Sequence, residues 1–166
     1  MSAPEPDLQT ARPEKTELRD LFSFVAGGRT FAVLAAEVEG TADAKQVAAL
    51  PYAPPAVVGV LCVRGRMLTT LDPVALLTGE RLEWPALIPC VVALRGDEQL
   101  ALAAESFGGT ITVDDGDIEA VAPDGERRHP AISGISRHGG EEISILSVSE
   151  LFAAAFQRKE RRRRRY

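Results

Sequence analysis

The chain has 166 residues, of which 45% are hydrophobic and 26% charged, so it can bury a substantial core without a metal ion or a disulfide. No apolar run approaches the roughly 18 residues needed to cross a bilayer, which excludes a helical membrane protein. The two cysteines are too few for a small, disulfide-stabilised secreted domain.

Composition divides the chain into three parts. Residues 1–17 are polar and proline-rich and contain no secretion signal, which predicts a disordered N-terminal arm on a cytoplasmic protein. Residues 18–156 carry the hydrophobic patterning and form the predicted globular part. Residues 157–166 form a basic C-terminal tail. Positions 158–165 contribute +6 to a net charge of −5, which leaves −11 on the rest of the chain.

The globular part opens with two β-prone runs, Leu21–Val25 and Thr30–Leu34, on either side of a glycine pair at 27–28. This arrangement predicts a β-hairpin. The Ala/Glu-rich stretch 34–40 predicts a helical turn. The small and polar residues at 40–46 predict an exposed loop.

The next segment begins with three closely spaced prolines at 51, 54 and 55, which cannot lie inside a helix or a central strand. They lead into Val57–Val63, which is apolar on both alternating faces and therefore predicts a buried strand. Residues 64–66 predict a turn, and residues 67–71 predict the returning strand. A short helix should follow, with Asp72 as its N-cap, Pro73 as its first residue and Gly79 at its end.

The second half is similar in style, with turns rich in glycine and acidic residues. Its predicted strands are 87–94, 99–104, 110–113, 131–135 and 143–148. The glycine pairs at 108–109 and 139–140 predict hairpin turns, the latter within a longer turn at 137–142. A final helix should begin near Ser147 and present an apolar stripe up to Phe156. Many short strands with only short helices favour β-barrels or a β-sandwich.

Residues suited to catalysis or metal binding are few. His129 and His138 lie in polar stretches without a recognisable nucleophile, so a hydrolase using either histidine is the least supported hypothesis. Cys62 and Cys90 lie in apolar runs and are interpreted as buried thiols. The cluster 114–117 lacks further ligand positions of a calcium loop and is interpreted as an acidic turn. The sequence therefore predicts no catalytic residue, no metal, no cofactor and no small-molecule substrate.

The basic tail is the most conspicuous single feature. Arg158-Lys159-Glu160 is followed by five consecutive arginines, Arg161, Arg162, Arg163, Arg164 and Arg165. One interpretation is a solvated extension of the final helix. The other is attachment to nucleic acid, to an anionic membrane or to an acidic protein face, which gives an alternative function as a binding protein tethered by its tail. No aromatic residue interleaves with the arginines except the final Tyr166, so stacking on bases is not indicated.

A long spaced pattern runs through the middle of the chain. It reads Leu50-Pro51-x-x-Pro54-x-x-Val57-x-Gly59-Val60-x-x-x-Arg64-Gly65, followed by Leu68, Leu71-Asp72 and Leu77-x-Gly79. The pattern resembles the central signature of the CheW-like family of bacterial chemotaxis coupling proteins. Residues 22–33 and 132–156 are similar to that family's opening hairpin and to its closing strands and helix. The departures from the pattern, which indicate a divergent member, are Cys62, Val63, Thr69, Pro73, Ala101 and Glu105.

The resemblance implies a mostly-β fold of two interlocked five-stranded SH3-like barrels with short helices and a C-terminal helix. It also implies a non-catalytic signalling adaptor that couples chemoreceptors to a CheA-type histidine kinase, in chemotaxis or a related chemosensory or motility pathway. Members of the family bind the cytoplasmic tip of a methyl-accepting chemoreceptor in an apolar groove between the barrels. They bind the kinase's own CheW-like domain through a barrel end. Such a protein is cytoplasmic and is associated with the membrane through receptor arrays.

Four residues of the pattern are candidate partner contacts. Arg64 matches a near-constant arginine of the family and either shapes the groove by bonding backbone carbonyls or contacts a receptor glutamate. The alternative is a purely structural arginine that holds the two barrels together. Gly65 follows Arg64 in the predicted turn, and Val57 and Val60 are candidates for either the core or the groove.

Overall fold

The computed structural model describes residues 17–120 and 129–163, with side chains described for 17–119 and 129–156. The strands are β1 (Leu18–Ala26), β2 (Arg29–Leu34), β3 (Val38–Gln46), β4 (Val57–Val63), β5 (Arg66–Leu71), β6 (Leu87–Leu94), β7 (Leu100–Ala104), β8 (Ser106–Asp114), β9 (Ile118–Ala120), β10 (Ile132–His138) and β11 (Glu141–Leu146). The α-helices are α1 (Pro73–Thr78) and α2 (Val148–Arg163), and 3-10 turns span Ala35–Glu37 and Asp115–Asp117. None of the helices in these ranges is long and apolar enough to cross a membrane. The predicted N-terminal arm, apart from Glu17, and the last arginines of the tail lie outside the described residues.

The strands form two sheets, one inserted in the chain between the two parts of the other. Sheet A has the order β8-β1-β2-β11-β10-β9, and sheet B has the order β3-β6-β7-β5-β4. The two ends of sheet B meet, because Ala48 and Val60 exchange two backbone hydrogen bonds of 2.9 and 2.8 Å. The predicted mostly-β fold of two barrel-like sheets with a C-terminal helix is confirmed. Sheet A has six strands instead of five because the short strand β9 pairs with β10.

The largest hydrophobic cluster joins the two sheets. Phe24 and Phe31 of sheet A stack with their ring centroids 5.9 Å apart, in the same cluster as Leu102 of sheet B and Leu151 of α2. Strand β7 is buried on both faces. Its residues Leu100, Leu102 and Ala104 face the shared core, and Ala101 and Ala103 face the interior of sheet B. Because burial of apolar surface is the main stabilising term in folding, this shared core holds the two sheets against each other.

Helix α1 begins at a buried carboxylate. Asp72 Oδ1 accepts hydrogen bonds from two backbone N–H groups of the first helical turn, at 2.8 and 3.1 Å, which confirms the predicted N-cap. Asp72 Oδ2 accepts two more, from Leu82 N at 2.7 Å and from Trp84 Nε1 at 2.9 Å. One side chain therefore caps the helix and also fixes the segment that follows it.

Residues 40–46, which were predicted to form an exposed loop, belong to strand β3. This strand pairs antiparallel with β6 from Val38 to Gln46. Its small and polar residues are compatible with a strand because most of its side chains are half-buried or exposed. The helical turn predicted for 34–40 is limited to the 3-10 turn Ala35–Glu37.

One predicted turn is wrong, and another is shorter than predicted. The glycine pair at 108–109 lies inside β8, where a register shift against Ser23 and Phe24 of β1 accommodates it, and not in a hairpin turn. The turn predicted for 137–142 is shorter, since β10 continues to His138 and β11 starts at Glu141. At 108–109, pairing with β1 outweighs the local turn preference of glycine, whereas Gly139 and Gly140 form the turn of the β10–β11 hairpin as predicted.

Candidate partner-binding surfaces

The hairpin between β4 and β5 carries two of the predicted contact residues. Arg64 and Gly65 form its turn, both with a left-handed backbone, at φ 51 and φ 81. Both residues are exposed. The turn thus holds an arginine at the end of sheet B, where a partner protein can reach its guanidinium.

The Arg64 guanidinium lies over strand β3. A Cβ atom on Gly40 would be 2.6 Å from Arg64 Nη1, so the guanidinium occupies the space that any other residue at position 40 would fill. Arg64 forms neither a hydrogen bond nor an ion pair with the residues that the structure describes. Its neighbour Arg66, in contrast, is paired with Glu39. The donors of Arg64 are therefore available to a carboxylate of another molecule.

The two predicted valines lie in different environments. Val57 is 1% exposed and belongs to the core shared by the two sheets. Val60 is half-buried and lies opposite Thr69 on the outer face of the hairpin. A β-bulge between Val57 and Gly59 places both side chains on the same face of β4, where the shared core covers Val57 and Val60 lies beyond it.

The outer face of this hairpin forms a small apolar patch. We call it the hairpin face, and its residues are Val60, Cys62, Met67 and Thr69. Cys62 lies opposite Met67, which is 57% exposed. Cys62 is an exposed free thiol, so the prediction that it is buried is wrong, and the bulge in β4 is the physical reason. Cys90, also free, is half-buried.

A second surface lies where the chain passes from sheet A to sheet B. Two adjoining cavities of about 400 and 600 Å³ share Arg19 and Leu34 as lining residues. We call this region the junction groove, and define it by Leu18, Arg19, Leu34, Ala35, Ala36 and Glu37. Leu18 is 71% exposed, so the groove offers an apolar side chain to a partner.

Charged residues fix and flank the junction groove. Arg95 of sheet B donates from Nε to the carbonyl of Ala36 at 2.9 Å and from its backbone N–H to the carbonyl of Glu37 at 2.9 Å. On the opposite wall, Arg19 Nε lies 2.8 Å from Asp115 Oδ1. Partial burial raises the pKa of the Glu37 carboxyl above its usual value. The groove therefore has a rigid floor with charged groups at its rim.

Reactive groups do not converge on either surface. His129 accepts a hydrogen bond at Nδ1 from Ala131 N at 3.1 Å, and His138 is exposed at the other end of β10. Among residues 17–120 and 129–163, no three His, Cys, Asp or Glu side chains lie close enough together to hold a metal ion.

Comparison with known proteins identifies the family. A model of the CheW-like domain matches residues 20–156. This chain belongs to the CheW-like domain family. The crystal structure of the scaffolding protein TtCheW from Thermoanaerobacter tengcongensis is similar in fold, with a TM-score of 0.69 and 15% sequence identity over 85% of this chain and 92% of that chain. A search of curated proteins found no match.

The CheW-like match includes all four predicted contact residues but not the basic tail, which begins where the match ends at Phe156. Sequence reasoning missed the junction groove of this CheW-like domain. Its walls come from β1, from the end of β2 and from the 3-10 turn, which meet only in the folded chain. Leu18 is the one residue of the groove that the sequence makes conspicuous, because it is apolar and stands at the start of the globular part. Hydrophobic patterning there predicts only where the domain begins. Arg95 could not be predicted as part of the groove, because it acts through a hydrogen bond to Ala36, 59 residues away in the sequence.

Proposed function

We propose that this protein is a non-catalytic adaptor that couples the cytoplasmic tip of a chemoreceptor to a CheA-type histidine kinase. Membership of the CheW-like family over residues 20–156 is the observation that carries this proposal. Two separate docking surfaces on one domain are what an adaptor needs, since it must hold two partners at once.

The receptor tip is assigned to the junction groove. A receptor tip is a helical hairpin, and an amphipathic helix binds by placing its apolar side chains in a groove. Leu18 and the alanines at 35 and 36 provide apolar contacts. Arg64, which lies over Gly40 three residues after the 3-10 turn, is placed to pair with a receptor glutamate.

The kinase's own CheW-like domain is assigned to the hairpin face at the end of sheet B. Met67 and Cys62 are exposed there, and Val60 is half-buried beside them. Exposed apolar side chains with a charged residue at the edge are the composition expected of a small interface with a polar rim. Val60 remains a predicted contact residue of this face. Arg64 and Gly65 form the turn that borders it, with Arg64 assigned to the receptor, and the burial of Val57 leaves it a role in packing.

Two single substitutions separate the assignments. Leu18→Asp should weaken binding of a receptor cytoplasmic fragment by about tenfold or more and leave kinase binding unchanged, because it places a charge in the junction groove. Met67→Asp should do the reverse. Leu87→Asp is the matched control, since Leu87 is also an exposed leucine, 49% accessible, on a strand of sheet B.

Isothermal titration calorimetry with the two purified fragments gives both affinities. If the folded wild-type protein binds neither fragment, the proposed function is wrong. If it binds both but the two substitutions act on the same partner, the adaptor role stands and the assignment of surfaces is wrong.

A further inference from the structure

The basic tail continues a helix that is anchored in the core. The backbone of α2 is helical from Val148 to Arg163, and Leu151 and Ala155 fix its first half with 0% and 2% exposure. Seven of the eight residues at 158–165 are basic, and they follow directly on this anchored segment. At 1.5 Å per residue, the helix extends about 10 Å from Phe156 to Arg163. The first part of the basic run thus continues the backbone of a helix that is anchored in the core.

An aromatic pair precedes the basic residues on the same helix. The rings of Phe152 and Phe156 lie one turn apart, with centroids 4.7 Å apart. Phe152 is 39% exposed although it belongs to the helix that closes the core, and Phe156 is only partly buried. The folded domain therefore leaves an apolar ring accessible next to the start of the basic run.

We propose that α2 and its basic continuation bind the surface of a bilayer that contains anionic lipids. A cluster of basic residues near such a surface is attracted to the lipid headgroups, by about fivefold in affinity for each residue. Aromatic side chains add apolar contact at the boundary between headgroups and acyl chains. Because the rest of the chain carries −11 once the +6 of positions 158–165 is removed from −5, the domain body is repelled and the basic end of the helix faces the membrane.

The observations favour lipid over the other ligands of a basic tail. One or two basic residues are enough to interact favourably with the dipole at the C-terminal end of a helix. Stabilisation of α2 therefore does not explain a run of seven basic residues. A site for single-stranded nucleic acid would place aromatic residues among the arginines, where they could stack on bases. Here the accessible aromatic ring, Phe152, precedes the basic run, and the family match ends at Phe156. Membrane binding is therefore a property added to the CheW-like domain and independent of the adaptor proposal.

The test is sedimentation of the full chain with vesicles of phosphatidylcholine alone or with about 30% phosphatidylglycerol, at about 0.1 M salt. The protein should bind the anionic vesicles and should dissociate from them as salt is raised. Replacing Arg161 to Arg165 together by glutamine should weaken binding by at least about 100-fold. The matched variant with five lysines should stay within about threefold of wild type, because it keeps the charge.

Further measurements distinguish lipid binding from loss of folding and from binding to nucleic acid. Phe152→Ser should weaken vesicle binding severalfold, and circular dichroism and thermal unfolding should show that each variant remains folded. Equal binding to neutral and anionic vesicles, or binding unaffected by the five glutamines, would overturn the proposal. Binding of a short DNA duplex more tightly than the anionic vesicles would also overturn it, in favour of a nucleic-acid site. Kinase and receptor affinities should be unchanged in the glutamine variant, so this result is separate from the adaptor role.

Discussion

Arg64 Nη1 lies 2.6 Å from the place that a Cβ atom of Gly40 would occupy. The guanidinium therefore rests on bare backbone of β3, and glycine at position 40 is what permits this position. Because the Arg64 side chain is flexible, a larger residue at 40 would move the guanidinium without breaking the sheet. The absence of a side chain at Gly40 therefore sets the position of the Arg64 guanidinium.

The first prediction concerns this pair. Arg64→Ala should lower affinity for the receptor fragment by about 10- to 100-fold, the usual effect of losing hydrogen bonds to a charged group. Gly40→Val should lower it less, because the guanidinium is displaced but still present. Both melting temperatures should stay near wild type, since Arg64 has no hydrogen bond or ion pair within the described part of the chain.

The control for that experiment is Arg137→Ala. Arg137 is an exposed arginine on sheet A whose nearest carboxylate, Glu142, is 3.7 Å away. The Arg137→Ala substitution should leave the affinity for the receptor fragment unchanged. A large loss of stability in Arg64→Ala would instead support the structural interpretation, in which this arginine holds the two barrels together.

The second prediction concerns the carboxylate of Asp72. It is 0% exposed and accepts hydrogen bonds from three backbone N–H groups and from the indole of Trp84. Asp72→Ala should destabilise the fold by about 3–5 kcal/mol, because it leaves several buried donors unpaired. Trp84→Phe removes one of these donors together with some packing and should cost about 1–2 kcal/mol.

Urea denaturation measures both values. Asp114→Ala is the matched control, because Asp114 also caps a short helical turn but accepts one bond of 3.4 Å and is more accessible. It should cost less than about 1 kcal/mol. A cost below about 1 kcal/mol for Asp72→Ala would show that this carboxylate does not organise the segment after α1.

The third prediction concerns closure of sheet B. A Cβ atom on Gly59 would lie 2.8 Å from Val47 Cγ2 and still closer to the carbonyl oxygen of Ala48. That carbonyl accepts the hydrogen bond from Val60 that joins the two ends of the sheet. Gly59→Ala should therefore destabilise the protein by about 1–3 kcal/mol and increase hydrogen exchange at Val60 N.

Gly116→Ala provides the comparison, since a Cβ at that position meets no atom within 4 Å. Its stability should differ from wild type by less than about 0.5 kcal/mol. If the two substitutions have equal effects, close approach of the backbone at Gly59 is not what closes the sheet.

Strands with continuous apolar runs were predictable from sequence. Residues 87–94 were predicted as a strand with the limits that β6 has, because the run is apolar throughout, and its second half, 91–94, is buried. The cap of α1 was predictable for a similar reason, since the Asp72-Pro73 pair and Gly79 act locally on the helix ends.

Features that depend on pairing between distant segments were not predictable. Strand β3 has few apolar residues and is specified by its register with β6. The outward position of Cys62 follows a bulge at Gly59, and a glycine inside an apolar run does not by itself indicate which side chains turn outward. The junction groove requires β1, the 3-10 turn and Arg95 to meet across the two sheets, so its residues could not be selected from spacing alone.

The last prediction concerns the two thiols, of which Cys62 lies on the hairpin face and Cys90 on β6. Burial, and to a smaller extent the charge of Asp43, raise the pKa of the Cys90 thiol, against a lowering contribution from a hydrogen bond with the Phe107 backbone. Since the thiolate is the reacting form, Cys90 in a Cys62→Ser variant should be alkylated by iodoacetamide more slowly at about pH 8 than a cysteine in a short peptide. Its rate should still be rising with pH where the rate of the peptide cysteine levels off, near the ordinary cysteine pKa of about 8.5. A rate that levels off below that pH would contradict the raised pKa.

In the reciprocal Cys90→Ser variant, the exposed Cys62 should react readily with iodoacetamide. Saturating kinase fragment should slow this alkylation by about tenfold or more if the kinase covers the hairpin face. An unchanged Cys62 rate in a complex that calorimetry shows to be saturated would place the kinase elsewhere on the domain.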